Sequence, residues 1–198
     1  EFRIKKFCKL IDKYHKDGSV LIFAQTTTHV DALYNILGEI YPGDVTRYHS
    51  RVKPERRKKQ LLFDFLQGKR KIMIATSAFS MGIDVPDIEL VVHFNAPINL
   101  TDYIQQIGRA GRDGRKAHCV LFYDQNGDDD SISNSFIKKA KKQSTKAAKT
   151  IRSNLNQVHN FIHSDSCMVC DILKYQGQHE TKTCKRCTIC AQKRRNSK

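Results

Sequence analysis

An alternation of short apolar runs with longer segments of helical periodicity constrains the fold of this chain more than any other feature. The run 19–24 is too short for a helix and predicts a strand buried on both faces, and further strands are predicted at 45–49, 72–75, 90–94 and 117–123. Between two of them Val30, Leu33 and Leu37 recur at helical spacing, and Pro54 stands where a further helix begins. The pattern predicts an α/β fold, a parallel sheet with helices on both faces, whose binding loops lie beyond the carboxyl ends of the strands.

The charge of the chain changes along its length. Of its 35 basic and 20 acidic side chains, 15 and 6 lie after residue 125, which gives that stretch +9 of the net charge of +15. The acidic, turn-rich segment 124–130 predicts a boundary, so we expect a sheet domain over 1–125 and a basic helical subdomain over 126–198. A cationic surplus of this size favours a polyanionic partner, nucleic acid above all.

The ends and apolar runs of the chain bear on its location. No run approaches the length needed to cross a membrane, and the N-terminus lacks the pattern of a signal peptide. We therefore expect an intracellular protein with no membrane partner, in the nucleus of a eukaryote or the cytoplasm of a bacterium. Because the first residue is not Met, we also expect a longer parent protein.

Two arginines stand three positions apart among glycines. Arg109 and Arg112 follow a polar helical run, in a segment with glycine at positions 108, 111 and 114 that we name the arginine loop (108–114). Guanidinium groups are always charged, so such a pair can stabilise oxygens that gain charge as a phosphoryl bond breaks. Glycines let the backbone approach a ligand or a facing domain closely. The loop is therefore interpreted as a phosphate clamp, with a solvated basic loop as the plainer alternative.

The segments Ala78–Asp84 and Gln105–Gly114 resemble motifs V and VI of superfamily-two helicases, and look most like those of the RecQ family of DNA helicases. The resemblance extends over essentially the whole chain. It implies the second RecA-like lobe of a two-lobed motor, followed by a small helical zinc-binding subdomain.

The same resemblance implies roles for individual residues. Arg109 and Arg112 would act as arginine fingers on ATP. Gly82 and Asp84 would border the nucleotide, although capping of a turn is the alternative for Asp84. Gln105 would help to position the arginine loop beside the nucleotide.

Neither a Gly-x-x-x-x-Gly-Lys-Ser/Thr phosphate loop nor an Asp-Glu-x-His segment occurs in the sequence. By resemblance, ATP and Mg²⁺ would be shared with an N-terminal RecA-like lobe of the same protein that carries those motifs. The full protein is then expected to be an ATP-dependent helicase that moves 3′-to-5′ on DNA. The 198 residues alone are expected to be inactive.

Polar residues at or just beyond the ends of three predicted strands are candidates for contacts with DNA phosphates: Thr26, His49, Thr76 and Ser77. Helix capping is the alternative for Thr76 and Ser77. The RecQ family usually has an arginine near Thr26, and Tyr-His-Ala-Gly where residues 48–51 read Tyr-His-Ser-Arg. With these departures, phosphate binding at this edge stays open, and the contacts usual in the family are not implied for these positions.

Residues 131–152 contain seven basic side chains and no acidic one. Lys138 and Lys142 are candidates for DNA contacts there, with a solvated helix face as the alternative. We expect the partner to be DNA, either a single strand or a junction between single and double strands.

The cysteine pattern near the C-terminus predicts a structural Zn²⁺ site. Cys184, Cys187 and Cys190 recur at the short spacing by which one turn presents several sulfurs to a tetrahedral zinc ion. By resemblance to the RecQ zinc segment, Cys170 supplies the fourth thiolate. Cys167 also remains open, because it forms a Cys-x-x-Cys with Cys170. Two histidines are lesser candidates: His163 and His179.

Two other functions stay open on the sequence alone. A DEAD-box RNA helicase lobe would share the sheet, but that family places His-Arg before its Ile-Gly-Arg, where Gln105 and Gln106 stand here. The other is a zinc-bearing DNA-binding module without catalytic activity.

Overall fold

The computed structural model describes residues 2–15, 18–80, 88–112, 114–124, 127–180 and 182–197. Its centre is a five-stranded sheet in which all paired strands are parallel, in the order β2-β3-β1-β4-β5. The strands are β1 (Ser19–Phe23), β2 (Val45–Tyr48), β3 (Ile72–Ala75), β4 (Ile88–His93) and β5 (His118–Leu121). All five lie where the apolar runs predicted them, the last one shorter at both ends.

Helices connect the strands and cover both faces of the sheet. They are α1 (Phe2–Tyr14), α2 (Thr27–Ile40), α3 (Glu55–Leu66) and α4 (Leu100–Ile107), with a short 3-10 helix at Ser77–Ser80. The chain runs from β1 out to β2, returns through β3, and then crosses to β4 and β5 on the other side of β1. This arrangement confirms the predicted α/β fold.

Alternate residues of the strands belong to two separate cores. On one face Ile22 of β1 shares a core with Phe7 of α1 and Leu33 of α2. On the other face Leu21 shares a core with Phe65 of α3. Because a strand turns successive side chains to opposite faces, the continuous apolar run of β1 requires a cover on each side.

Four helices follow the sheet: α5 (Asp128–Gln143), α6 (Thr145–Ile162), α7 (Met168–Tyr175) and α8 (Thr188–Asn196). Within the acidic segment 124–130 that predicted a boundary, Asp128–Asp130 form the first turn of α5. Carboxylates are stabilised there by the helix macrodipole, so a turn-like composition also suits a helix start. None of the described helices is long and apolar enough to span a lipid bilayer.

The C-terminal helices pack against α4, the helix that leads into the arginine loop. Tyr103 of α4 and Phe161 of α6 lie with their ring centroids 5.5 Å apart, in a cluster with Leu100 and Val158. The buried carboxylate of Asp129 accepts a hydrogen bond of 2.8 Å from the N–H of Ala96, in the loop before α4. These contacts join the helical part to the sheet at one place.

Candidate functional site

The strand register brings the loops after four strands together at one edge of the sheet, which we call the carboxyl edge. Ala75 of β3 pairs with both Phe23 of β1 and Tyr48 of β2, and Phe23 also pairs with His93 of β4. The residues that follow these four positions therefore lie side by side. Open parallel sheets bind ligands at this edge.

Two of the predicted phosphate contacts at this edge have structural roles. The hydroxyl of Thr26 accepts a hydrogen bond of 3.1 Å from the N–H of His29 and so caps α2. His49 is 2% exposed; its Nε2 donates to Asp31 at 2.9 Å, and its Nδ1 accepts from the N–H of Arg51 at 3.2 Å. With both ring nitrogens occupied, His49 has no donor left for a phosphate. The prediction for His49 is therefore wrong, and the ring instead fixes the turn after β2.

The segment after β3 is more open. Thr76 is half-buried, and its carbonyl accepts the N–H of Phe79 at 3.0 Å in the 3-10 turn. Ser77 is exposed at the start of that turn. Both hydroxyl-bearing residues lie directly beyond the carboxyl end of β3, as a phosphate contact requires, and this role stays a prediction. Gly82 and Asp84, predicted beside the nucleotide, lie outside the described residues.

The arginine loop is held on the sheet by its backbone. The N–H of Gly111 donates to the carbonyl of Ile88, at the start of β4, at 3.2 Å. Gly111 has φ +66, and a Cβ there would lie 2.8 Å from the carbonyl oxygen of Arg115. Only glycine meets both conditions, so this residue lets the loop lie close to its own return path.

The two arginines have different surroundings. Arg109 is 6% exposed, whereas Arg112 is exposed and donates from Nε to the carbonyl of Gly108 at 3.2 Å. A guanidinium that serves a ligand held by another domain must reach solvent from its own lobe. Of the two predicted fingers, Arg112 is the one whose side chain meets that condition in this chain.

The two glutamines before the loop also differ. Gln105 is exposed, as suits a residue beside a nucleotide. Gln106 is 2% exposed and lies against His93, with 2.7 Å between Oε1 and the ring Nε2. Sequence reasoning gave neither Gln106 nor His93 a role. The available signal was a histidine inside an otherwise apolar strand, which has to find a polar partner when buried.

The cysteine cluster contains four thiols, but not the predicted four. The sulfurs of Cys167, Cys184, Cys187 and Cys190 all lie within 4.8 Å of one another. Cys170 is not among them, and its thiol donates to the carbonyl of Lys182 at 3.5 Å. Cys167 caps the N-terminus of α7, whereas Cys170 lies one turn further along that helix. The register taken from the resemblance was therefore three residues too late, and Cys167 replaces Cys170. His163 and His179 are outside this cluster.

The cluster has the chemistry and the spacing of a structural zinc site. Zn–S bonds of about 2.3 Å in a tetrahedron require sulfurs about 3.8 Å apart. Two of the pairs, Cys184 with Cys190 and Cys187 with Cys167, are 4.0 Å apart. A set of four thiolates suits a soft, tetrahedral metal ion.

Backbone donors prepare two of these thiols to ionise. Burial raises the pKa of Cys167, but hydrogen bonds from the N–H groups of Cys184 and Cys170 and from the thiols of Cys184 and Cys190 together lower that pKa to about 6. Burial also opposes ionisation of Cys187, and the N–H groups of Cys190 and Met168 outweigh it, so its pKa is lowered. Thiolates are the form that binds metal.

The basic stretch forms a helical hairpin of α5 and α6. Lys138 and Lys142 are exposed one turn apart on α5, and no described residue forms an ion pair with either of them. Lys146 and Lys149 continue the charge into the first turns of α6, which begin at the capping hydroxyl of Ser144. The hairpin therefore presents cations on both sides of its tip.

Comparison with known proteins gives consistent matches. The family model "helicase conserved C-terminal domain" matches residues 3–114. The ATP-dependent DNA helicase RecQ of Bacillus subtilis (strain 168) is 31% identical over 193 residues, which are 94% of this chain and 31% of that protein. A putative ATP-dependent RNA helicase of Acanthamoeba polyphaga mimivirus is 33% identical over 181 residues, 91% of this chain and 32% of that protein.

Solved structures match the sheet as well. S. cerevisiae Dbp5 bound to RNA and ADP BeF3 is similar with a TM-score of 0.53 and 28% identity, over 67% of this chain and 35% of that one. The chain spans only 31% of the length of the Bacillus subtilis RecQ helicase and 32% of that of the viral helicase. The helicase resemblance read from motifs V and VI is confirmed, and the chain belongs to the helicase conserved C-terminal domain family, with RecQ helicases among its relatives.

Proposed function

We propose that this chain is the C-terminal motor lobe of an ATP-dependent, RecQ-like DNA helicase that moves 3′-to-5′. The observation that carries the proposal is the exposed guanidinium of Arg112 on a loop whose backbone is tied to β4 through Gly111. A fixed loop with one solvent-facing arginine is what a finger needs if it acts on a ligand held by another lobe.

In this proposal ATP binds between the arginine loop and an N-terminal lobe that supplies the phosphate loop and Mg²⁺. Arg112 contacts the phosphoryl group as charge develops on its oxygens, and the buried Arg109 supports the loop. Gln105 and the segment with Gly82 and Asp84 border the nucleotide. Because Arg112 reaches ATP only when the lobes close, hydrolysis is coupled to closure and hence to movement along the strand.

DNA binds this lobe at two places in the proposal. Thr76 and Ser77 contact phosphates of the single strand at the carboxyl edge, and Thr26 lies at the same edge. The helical hairpin with Lys138 and Lys142 contacts the backbone near a junction with duplex DNA.

Helix electrostatics support a polyanion on the hairpin. Cations at the C-terminus of α5 suit its macrodipole, so they have a structural explanation. Lys146 and Lys149 lie in the first turns of α6, where the macrodipole disfavours cations and no acidic residue compensates. A bound phosphate backbone would offset this cost and release counterions.

We further propose that Cys167, Cys184, Cys187 and Cys190 hold one structural Zn²⁺ as four thiolates. Such a metal fixes the start of α7 to α8 and carries no step of ATP hydrolysis. The mutual spacing of the sulfurs supports this assignment.

An RNA helicase lobe is the second candidate, favoured by the similarity to the viral relative and to Dbp5 bound to RNA. The two are separated by measuring ATP hydrolysis of the full-length protein with single-stranded DNA and with RNA of the same sequence. DNA should stimulate turnover more than RNA; the reverse result would assign the chain to the RNA-dependent class. If the protein hydrolyses no ATP with either nucleic acid, the result would favour a binding module without catalysis.

The arginine is tested in the same full-length protein. Arg112→Ala should lower kcat for ATP about a thousandfold, because an arginine finger acts on the transition state, while nucleotide affinity changes little. Arg115→Ala, an exposed arginine three residues further on, serves as the matched control and should retain turnover. Loss of nucleotide affinity with intact kcat would contradict the role proposed for Arg112.

A further inference from the structure

The polar pair of His93 and Gln106 lies inside an otherwise apolar interface between the sheet and α4. His93, the last residue of β4, is 0% exposed, and Gln106, in the last turn of α4, is 2% exposed. The ring Nε2 and the amide Oε1 are 2.7 Å apart. A buried hydrogen bond of this length fixes both partners, because leaving either one unpaired away from water is costly.

The ring of His93 is oriented by its neighbours. Phe23 of β1 stacks on one side, with centroids 5.4 Å apart and an interplanar angle of 22°, and Tyr103 of α4 lies 4.8 Å away. An amide oxygen can only accept, so Nε2 carries the proton and donates to Gln106. Burial lowers the pKa of His93 to about 4, so the ring stays neutral near pH 7.

The pair is connected to the arginine loop through the backbone. The carbonyl of Gln106 accepts the N–H of Arg109 at 3.3 Å, at the point where α4 ends. On the far side of Arg109 the N–H of Gly111 donates to Ile88, at the other end of β4. One strand therefore holds the loop at two points, by the side chain of His93 and by the carbonyl of Ile88.

We propose that His93 is a positioning residue for the arginine loop: its hydrogen bond to Gln106 fixes the end of α4 and thereby the place from which Arg112 reaches the nucleotide. This inference rests on the proposed function of Arg112. If the bond only satisfied two buried polar groups, its removal would lower the free energy of unfolding and leave kcat unchanged. Positioning instead predicts a loss in kcat, since a displacement of about 1 Å costs about a hundredfold in rate.

The test uses ATP hydrolysis by the full-length protein. His93→Leu and Gln106→Leu each remove the bond with little change in volume, and each should lower kcat about ten- to a hundredfold with KM for ATP within about twofold. The double variant should be no worse than the single ones, because all three lack the same bond. His93→Gln, whose amide nitrogen takes the place of Nε2, should recover most of the turnover.

Several results would overturn the proposal: additive losses in the double variant, a rise in KM with kcat intact, or no rescue by His93→Gln. Amide hydrogen exchange of the 198-residue chain provides a readout that does not depend on activity. Gln106→Leu should speed exchange at the Arg109 amide by about tenfold or more while the Val92 amide in the sheet is unchanged. Unchanged exchange at Arg109 would reject positioning even if the variants lose activity. If the wild-type full-length protein fails to hydrolyse ATP, the proposed function falls, and the exchange result still decides whether His93 positions the loop.

Discussion

The sheet and the cysteine-bearing C-terminal end of this chain are held together by different forces. The sheet encloses two apolar cores, and side chains such as Phe7, Phe65 and Phe79 are fully buried there. By contrast, α7 has no buried residue, and Cys190 is the only one in α8. The comparison shows that one part folds by burying apolar surface, whereas the other has almost no core apart from its sulfurs.

The difference has an energetic consequence. Burial of one large apolar side chain contributes about 1.5–3 kcal/mol, so the sheet collects its stability from many residues. A structural zinc ion contributes on the order of 10 kcal/mol or more at one point. The C-terminal end should therefore respond to metal and to cysteine chemistry, and the sheet to packing.

Metal removal should produce the largest difference between the two parts. A strong chelator should unfold residues from about 164 onwards, because the site provides most of their folding free energy, on the order of 10 kcal/mol. The sheet should stay folded. Limited proteolysis with mass spectrometry measures the unfolding of the C-terminal end and the integrity of the sheet in one experiment. Cleavage should concentrate in α7 and α8, and the segment 2–124 should stay intact. Equal protection of both parts after chelation would contradict the comparison.

Replacing single cysteines sharpens the assignment of the ligands. Cys167→Ser should lose the bound metal, because the serine hydroxyl is a poor ligand for zinc in a site built for four thiolates. Cys170→Ser is the matched control, three residues away on the same helix, and should retain one equivalent, since its thiol bonds to Lys182 instead. Metal analysis of both purified variants checks this. Full metal in Cys167→Ser with loss in Cys170→Ser would restore the assignment made from the sequence.

The sequence predicted the sheet more accurately than it predicted the metal ligands, and the reason lies in the kind of signal. Strands β1 and β3 are buried almost throughout, so each appears in the sequence as a short apolar run, and a turn residue such as Gly18 marks where β1 begins. A ligand set depends on where individual sulfurs point. Cys167 and Cys170 are both compatible with a Cys-x-x-Cys spacing, and only the capping position of Cys167 on α7 decides between them.

Contacts between segments that are distant in the chain could not be predicted from the sequence, for a similar reason. His49 was predicted to contact DNA as a polar residue at the end of a predicted strand, and the structure places it directly after β2. Its partner Asp31 lies on another element, so nothing local indicated that both ring nitrogens are occupied. The bond between His93 and Gln106 likewise joins a strand to a helix that the pattern treats separately.

A decrease in pH should lower the free energy of unfolding of the sheet through protonation of His93. The expected effect is smaller than that of metal removal and larger than that of Asp129→Asn. The pKa of this ring is lowered by burial to about 4 in the folded chain, against an ordinary value of 6.5. Below pH 6.5 the unfolded chain binds the proton that the folded chain excludes, so stability falls as the pH decreases from 6.5 to about 4. The full loss is about 3 kcal/mol. His93→Gln keeps the donor without the titration, and its urea unfolding should depend less on pH over this window; parallel curves for the two proteins would exclude this role of His93.

The smallest expected effect concerns Asp129, which joins the two parts. Its buried carboxylate accepts the N–H groups of Ala96, before α4, and Asp124, after β5, both at 2.8 Å. Asp129→Asn keeps the shape but turns one amide donor towards a backbone donor, which should cost about 1–3 kcal/mol. The cost should appear as a separation of the unfolding of α5 and α6 from that of the sheet.

Asp128→Asn is the control for this change, because Asp128 lies in the same first turn of α5 and is exposed. Both variants lose a charge that favours the helix N-terminus, which contributes about 0.3–1 kcal/mol. Only Asp129→Asn also loses the bonds to the two loops. The measurement is denaturant unfolding, monitored by hydrogen exchange in α6 and in β4. In the wild type and in Asp128→Asn, α6 and β4 should unfold in one shared transition. In Asp129→Asn, α6 should unfold at a lower denaturant concentration than β4. If both variants shift alike, the link acts only through helix charge, and the parts are joined by the apolar cluster around Tyr103 and Phe161 and by the hydrogen bond between Thr101 and Tyr175.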